Sequence, residues 1–273
     1  FLFGGLKLFI VYIFYKIKDT SKLYSLTGEN NNTYLSSNWL AQVKDIGYLH
    51  KWNAEPNLQF KKAFHTKIRA SNRIGPHNQD VLSVLVGSLL GDAYASARTI
   101  EGTRFCYRQS IVHKDYLFWL YEFYLQRGYC SNLEPRKYTR ILKGKEYYGY
   151  EFNTFTFRSF NWIHKLFYKK GVKYINPNLE FYITPLALAV WIMDDGCWTG
   201  NGVRIATNCF KLEEVKILTN ILIRLYGLNC TIQNIEGHYS IYITKDSIPK
   251  LRNLLLPYVI PSMKYKLDIK NNQ

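Results

Sequence analysis

Two apolar runs, Val84-Leu85-Val86-Gly87-Ser88-Leu89-Leu90-Gly91-Asp92 and Ala187-Leu188-Ala189-Val190-Trp191-Ile192-Met193-Asp194-Asp195-Gly196, each end in an acidic turn, and the pattern that follows one follows the other. Such a duplication constrains the chain to build the same small unit twice. Asp92 and Asp195 are roughly a hundred residues apart, enough for one α/β unit per copy. A pseudo-twofold pairing of the copies would bring the two carboxylates together, and paired carboxylates on such an axis suggest divalent-metal chemistry.

The chain has 273 residues, of which 47% are hydrophobic, so a packed core is expected rather than disorder. Its 36 Lys and Arg against 20 Asp and Glu leave a formal charge of +16, which points to a polyanionic partner. Nucleic acid is favoured over an acidic membrane surface because aromatic residues interleave with the basic ones, as in Arg136-Lys137-Tyr138-Thr139-Arg140 and Lys145-Glu146-Tyr147-Tyr148. Taken singly, each run reads better as a solvated strand edge. Five cysteines without C-x-x-C spacing suggest neither a disulfide framework nor a structural zinc site. The six histidines never form the H-E-x-x-H pattern of a zinc-hydrolase helix. The remaining metal option is a hard cation held by carboxylate oxygens.

The segment from Phe1 to Tyr15 is apolar apart from Lys7 and two glycines. It is short of the roughly 20 residues needed to cross a bilayer as a helix and has no basic stretch before it. It reads as a remnant of upstream coding sequence or a buried helix. Polar patches at Glu29-Asn30-Asn31-Asn32 and Ser36-Ser37-Asn38 read as loop or linker, and Gly75-Pro76-His77-Asn78-Gln79-Asp80 marks a boundary, with Asn78 or Asp80 as candidate helix cap. Residues 1–76 are thus expected to form an N-terminal extension, 77–177 the first repeat and 178–273 the second.

In the first repeat, residues 81–90 read as a buried helix, 103–111 as a strand, and 114–127 as an amphipathic helix closed by Gly128. Two strands follow, 135–142 and 145–158, with a turn at Lys143-Gly144, and then a helix over 160–170 ended by Gly171. The second repeat opens at Thr184-Pro185 with a helix running to Met193, then a strand over 203–209 and a helix over 212–226 stopped by Gly227. A hairpin over 229–235 and 239–244 and a helix over 246–256 complete it. Two sheets side by side, with helices behind them, would leave a continuous groove of exposed sheet faces.

Gly87 and Gly91 are spaced G-x-x-x-G, so another helix can approach the first closely; the run is about half the length a bilayer span needs. Two carboxylates in contact repel unless cations lie between them, and Mg²⁺ suits oxygen ligands. Two metal ions roughly 3.5–4 Å apart can activate water and stabilise the leaving oxygen of a phosphodiester. Together with a basic groove, this points to hydrolysis of a nucleic-acid backbone.

Gly87-Ser88-Leu89-Leu90-Gly91-Asp92-Ala93, Trp191-Ile192-Met193-Asp194-Asp195-Gly196 and the lead-in Thr184-Pro185-Leu186-Ala187-Leu188-Ala189 resemble the motif helices of the LAGLIDADG homing endonucleases, in the single-chain, two-motif branch encoded by organellar introns. Pro261-Ser262-Met263-Lys264-Tyr265-Lys266-Leu267 resembles that family's C-terminal signature. Departures are Ala93 at the motif's closing glycine and Val190 at the second copy's close-packing position; neither removes an acid. The resemblance implies an α+β fold of two pseudo-symmetric αββαββα-type repeats, forming a DNA-binding β-sheet saddle with the two motif helices at the central interface.

The resemblance further implies that Asp92 and Asp195 bind metal, with the carbonyls of Gly91 and Asp194 as additional ligands. It implies that Lys173 and Lys266 are the basic residues near the scissile phosphates, and that Gln109 and Asn208, on the first strand of each copy, lie near the metals or water. Because Arg and Gln make bidentate contacts to guanine and adenine, Arg104, Arg136, Arg140, Arg204 and Gln233 are candidate base readers. Lys137, Lys143 and Lys145 are candidate phosphate contacts. The implied activity is Mg²⁺-dependent double-strand cleavage of a specific DNA site, with Mn²⁺ as a substitute, by a monomer serving intron mobility. The alternative is a maturase that binds its own group I intron RNA, alone or in addition. No membrane partner is expected, and a mitochondrial location is favoured over a chloroplast one.

Overall fold

A computed structural model describes residues 68–99 and 101–270, within a unit running from Pro56 to Gln273. The apolar segment at Phe1 to Tyr15, the Asn-rich patch after it and the greater part of the expected N-terminal extension lie outside the described residues.

Each repeat has the order αββαββα. In the first these are α1 (Gln79–Leu90), β1 (Tyr94–Thr99), β2 (Gly102–Ser110), α2 (Lys114–Gln126), β3 (Arg136–Leu142), β4 (Lys145–Asn153) and α3 (Asn161–Phe167). A small hairpin, β5 (Tyr168–Lys169) and β6 (Val172–Lys173), leads onward. The second repeat comprises α4 (Pro185–Asp195), β7 (Gly196–Trp198), β8 (Val203–Ala206), α5 (Leu212–Tyr226), β9 (Cys230–Ile235), β10 (His238–Ile243) and α6 (Ile248–Leu255). Both sheets are antiparallel, with strand orders β1-β2-β4-β3 and β7-β8-β10-β9. The second repeat is therefore a topological copy of the first.

The sequence reading did not separate β1 and β7 from the segments after the motif helices. Both are short, and β1 has a register shift between Ser96 and Thr99, so neither has a clean alternating pattern. A second difference is that α3 stops at Phe167, where a helix was expected to reach Lys170. The chain instead reverses at Lys170 (φ 52°) and Gly171 (φ 78°), two successive left-handed residues suited to a two-residue hairpin. The Ala95 N–H donates to the Tyr168 hydroxyl at 3.1 Å and so fastens this hairpin to β1.

The two motif helices pack against each other at the centre. Nearly every residue of α1 from Val81 onward is buried, as is α4 from Leu186 to Met193. A Cβ on Gly87 would collide with the Ala187 carbonyl and lie 2.8 Å from the Val190 side chain, so close approach at this crossing requires glycine. The N-termini are tied as well. The Thr184 hydroxyl accepts the Ala187 N–H at 3.2 Å, capping α4, and donates to Ser83 Oγ on α1 at 2.8 Å. On α1, Asn78 makes no side-chain cap, whereas the Asp80 carboxylate accepts the Val81 N–H at 2.7 Å and pairs with Arg127.

Inward residues of each sheet meet the helices behind it. Phe105, Tyr107 and Phe152 pack with Leu117, Leu120 and Tyr124 of α2; Val203, Ile205, Ile241 and Ile243 pack with Val215, Leu218 and Leu222 of α5. Tyr107 stacks on Phe152 with ring centroids 4.8 Å apart, and its hydroxyl shares a 2.7 Å bond with that of Tyr124. Burying such side chains contributes roughly 1.5–3 kcal/mol each, which makes both sheets rigid supports for what their ends carry.

Candidate active site

Helix α1 ends at Leu90, with Gly91 as its C-cap and Asp92 next; Asp195 is the last residue of α4. The helix crossing brings these ends together, and Asp194 lies between them. A Cβ on Gly91 would be 2.5 Å from both Cβ and Oδ2 of Asp194, so the Asp194 side chain reaches across into the space glycine leaves. Its Oδ2 accepts the Asp92 N–H at 3.3 Å. Gln109, at the end of β2, donates from Nε2 to Asp92 Oδ2 at 2.8 Å and toward Asp194 Oδ1 at 3.4 Å. Burial, then the Asp92 and Asp195 charges, push the Asp194 carboxyl well above the usual carboxylate range. The Tyr116 hydroxyl of α2, which donates to the Val190 carbonyl at 3.4 Å, lies near Asp194 and partly opposes this. Asp195 is pushed up to about 7 by burial and by Asp92, against the pull of Lys266 and Lys173.

A lysine caps each of these helix ends. Lys173, at the close of the β5–β6 hairpin, donates to the carbonyls of Gly91 at 3.2 Å and Ala93 at 3.1 Å. Lys266, on the 3-10 turn Pro261–Leu267, donates to the carbonyls of Asp194 at 2.7 Å and Met193. Arg252 of α6 anchors that turn by donating to the Leu267 carbonyl at 2.8 Å. Gly91 and Asp194 each precede an expected metal-binding acid, so the lysines occupy equivalent positions in the two repeats. Burial lowers the pKa of both, while the surrounding aspartates oppose that shift. His113 also belongs to this neighbourhood, with its pKa lowered by burial and by Lys266 while Asp92 acts against both.

Asn208 is not on the strand where the sequence reading put it. Strand β8 ends at Ala206, and Asn208 is exposed in the turn that follows. The register explains the error. Cys197 pairs with Arg204 as Tyr94 pairs with Cys106, so the residue matching Gln109 is Thr207. Thr207 is buried, and its hydroxyl donates to the Tyr239 carbonyl at 2.6 Å. A shift of one residue along a strand reverses the direction of the side chain.

The oxygen donors suit a hard divalent cation. The Asp92 and Asp195 carboxylates lie near enough to act on each other, beside the Gly91 and Asp194 carbonyls, and a carbonyl that already accepts from a lysine keeps a second lone pair. Among the described residues no group of three or more His, Cys, Asp or Glu side chains is placed to hold a metal ion. Water and a phosphate oxygen would have to supply the remaining ligands.

On the sheet faces turned away from α2 and α5, residues directly opposite each other share a side. Arg104, Arg136, Arg140 and Lys145 share the open face of the first sheet, and Arg204 and Gln233 that of the second. Lys143 sits in the β3–β4 turn with φ 51°. Lys137 is on the opposite side of β3, with its ammonium 4.6 Å from the centre of the Tyr148 ring. Sequence reasoning missed Arg108, which joins Arg136 on the open face, and Tyr116, whose apolar surroundings on α2 gave no sign of its tie to Asp194. Among the described residues no helix is long and apolar enough to cross a membrane.

Comparison with known proteins agrees with this architecture. Residues 82–251 match the LAGLIDADG DNA endonuclease family. The chain is 40% identical over 236 residues to the cytochrome b mRNA maturase bI2 of Saccharomyces cerevisiae, a match that covers 82% of this chain and 55% of that protein. It is 49% identical over 158 residues to the intron-encoded endonuclease ai4 of Dictyostelium discoideum, covering 55% of this chain and 99% of that one. This chain thus spans about half the length of the yeast maturase and nearly all of the Dictyostelium protein. A solved structure of the homing endonuclease I-WcaI bound to its DNA recognition sequence aligns with a TM-score of 0.67 at 28% identity, over 84% of this chain and 98% of its own. By its two motif helices, its duplicated sheets and the family match over most of both, the chain belongs to the LAGLIDADG DNA endonuclease family.

Proposed function

We propose that this protein is an intron-encoded homing endonuclease that hydrolyses both strands of a specific DNA duplex with Mg²⁺, which Mn²⁺ can replace. The observation that carries this reading is the meeting of Asp92 and Asp195 at the crossing of α1 and α4, with a lysine seated on the carbonyl before each acid. One such half-site per strand accounts for double-strand cutting by a monomer. In this reading residues 77–177 and 178–273 each serve one half of the target, and residues 1–76 are an N-terminal extension. A mitochondrial location accords with the yeast relative, named for cytochrome b mRNA.

Bound divalent metal at Asp92 and Asp195 would activate water and stabilise the leaving oxygen. The chain's own residues do the rest. Gln109 holds Asp92 by one carboxylate oxygen and leaves the other free. Asp194 braces the Asp92 backbone from the opposite repeat. Lys173 and Lys266 are seated beside the acids, where they can polarise a phosphate or the attacking-water network. The open faces, with Arg104, Arg136, Arg140, Lys145, Arg204 and Gln233, contact the duplex, and Lys143 extends that contact at the β3–β4 turn, whereas Lys137, on the other side of β3, does not take part.

A maturase role, binding the group I intron RNA from which the protein is translated, is the second reading, favoured by the 40% identity to a protein named an mRNA maturase. The test is single-turnover cleavage of the intronless junction duplex in Mg²⁺ and in EDTA, beside binding to the intron RNA. Metal-dependent cutting supports the endonuclease. Tight RNA binding without cutting supports the maturase instead.

A further inference from the structure

The open face of the first sheet carries an acid at its centre. Arg108 on β2, Glu151 on β4 and Arg136 on β3 are directly opposite one another and form one row across three strands. Arg108 donates to Glu151 Oε2 from Nε at 2.8 Å and from Nη2 at 2.5 Å. Arg136 donates to Oε1 from Nε at 3.0 Å and also from Nη2. The carboxylate is 13% exposed, against 57% and 78% for the two guanidinium side chains. Arg108 is held from a second side, its guanidinium carbon 4.8 Å from the centre of the Tyr138 ring. Tyr138 in turn lies over Gly149, where a Cβ would be 2.5 Å from its hydroxyl.

An acid in this place weakens phosphate attraction, so affinity does not explain it. What it does is fix two arginines. Each uses its Nε and Nη2 on Glu151, which leaves the Nη1–Nη2 edge uncommitted, and that edge is the fork that reads guanine O6 and N7. We propose that Arg108, Glu151 and Arg136 form a single base-reading unit, two guanine-reading forks held by one shared carboxylate, in the half-site served by the first repeat. The inference rests on the DNA-binding reading above. Two strand spacings of ~4.8 Å separate β2 from β3. At ~3.4 Å per base step, the two guanines lie no more than about three base pairs apart.

The experiment is enrichment from a random duplex library in Ca²⁺, using the full chain, Glu151→Gln and Arg108→Gln, with thermal melts to verify folding. The wild type is expected to enrich two guanines within about three base pairs. Arg108→Gln loses one of them. Glu151→Gln weakens both, each by roughly 5- to 150-fold, while its affinity for random duplex rises. Partial unfolding would lower affinity at every position together and so would not imitate this pattern. An unchanged consensus with Glu151→Gln, alongside loss of one guanine with Arg108→Gln, would overturn the shared unit and leave DNA reading intact. Failure of the wild type to bind or enrich any duplex would overturn both, and the wild-type arm alone would reveal it.

Discussion

The Asp194 side chain fills the space that a methyl group on Gly91 would need, with Oδ2 only 2.5 Å from that position. The two residues are equivalent in the duplicated motifs, each preceding an acid, yet one copy supplies the carboxylate and the other supplies the room for it. The site is therefore asymmetric although the helices that build it are paired.

Gly91→Ala should accordingly destabilise the fold by about 1–3 kcal/mol through overpacking and should impair cleavage. Adding Asp194→Gly to Gly91→Ala should restore stability, because the clash is with that one side chain. Urea titrations of the single and double variants measure this. Equal destabilisation in both would contradict the packing described.

Asp92→Asn and Asp195→Asn should each abolish cleavage while leaving duplex binding in Ca²⁺ largely intact. Gel-shift titration beside a cleavage assay separates the two effects. Loss of folding in both variants would make the acids structural.

The Asp195 contribution to stability should fall as pH rises through the acidic range. Asp195 titrates near about 7 in the fold but near ~3.9 when unfolded. Between these values the fold keeps a proton that the unfolded chain has released, so the extra stability is fully present below about pH 4 and gone above about pH 7. Without metal, Asp195→Asn should raise the melting temperature at pH 7.5 and change it little at pH 4. Mg²⁺ at a hundred times its dissociation constant should add about 2.7 kcal/mol to the wild type at neutral pH, and less to the variant. Melting curves across pH, with and without Mg²⁺, test both signs.

Lys173→Met and Lys266→Met should each slow cleavage by roughly 10²–10³, the usual cost of removing one positioned electrostatic group, with little change in duplex affinity. Single-turnover rates at saturating protein measure the loss. Unchanged rates would show that the ammonium groups only cap helix ends.

The chemistry was more legible in the sequence than its placement. Asp92, Asp195 and Lys266 stand inside motifs, so their neighbours announce them. Lys173 has no such frame. It reaches the Gly91 carbonyl because two residues in the left-handed region, Lys170 and Gly171, turn the chain back, whereas the apolar spacing before them favours a longer helix. Asn208 was misplaced because strand β8 is only four residues long, too short for alternation to fix which residue continues its inward face. Asp194 was expected to offer its carbonyl. Its side chain crosses to the other repeat, a contact set by the helix crossing and invisible in local sequence.

The most direct measurement is incubation of the purified protein with a duplex spanning the intronless junction, in Mg²⁺ and in EDTA, beside Asp92→Asn. Two duplex fragments in Mg²⁺, and none in EDTA or with the variant, are the predicted result. An intact duplex that is nevertheless bound in the presence of Mg²⁺ would contradict the nuclease reading.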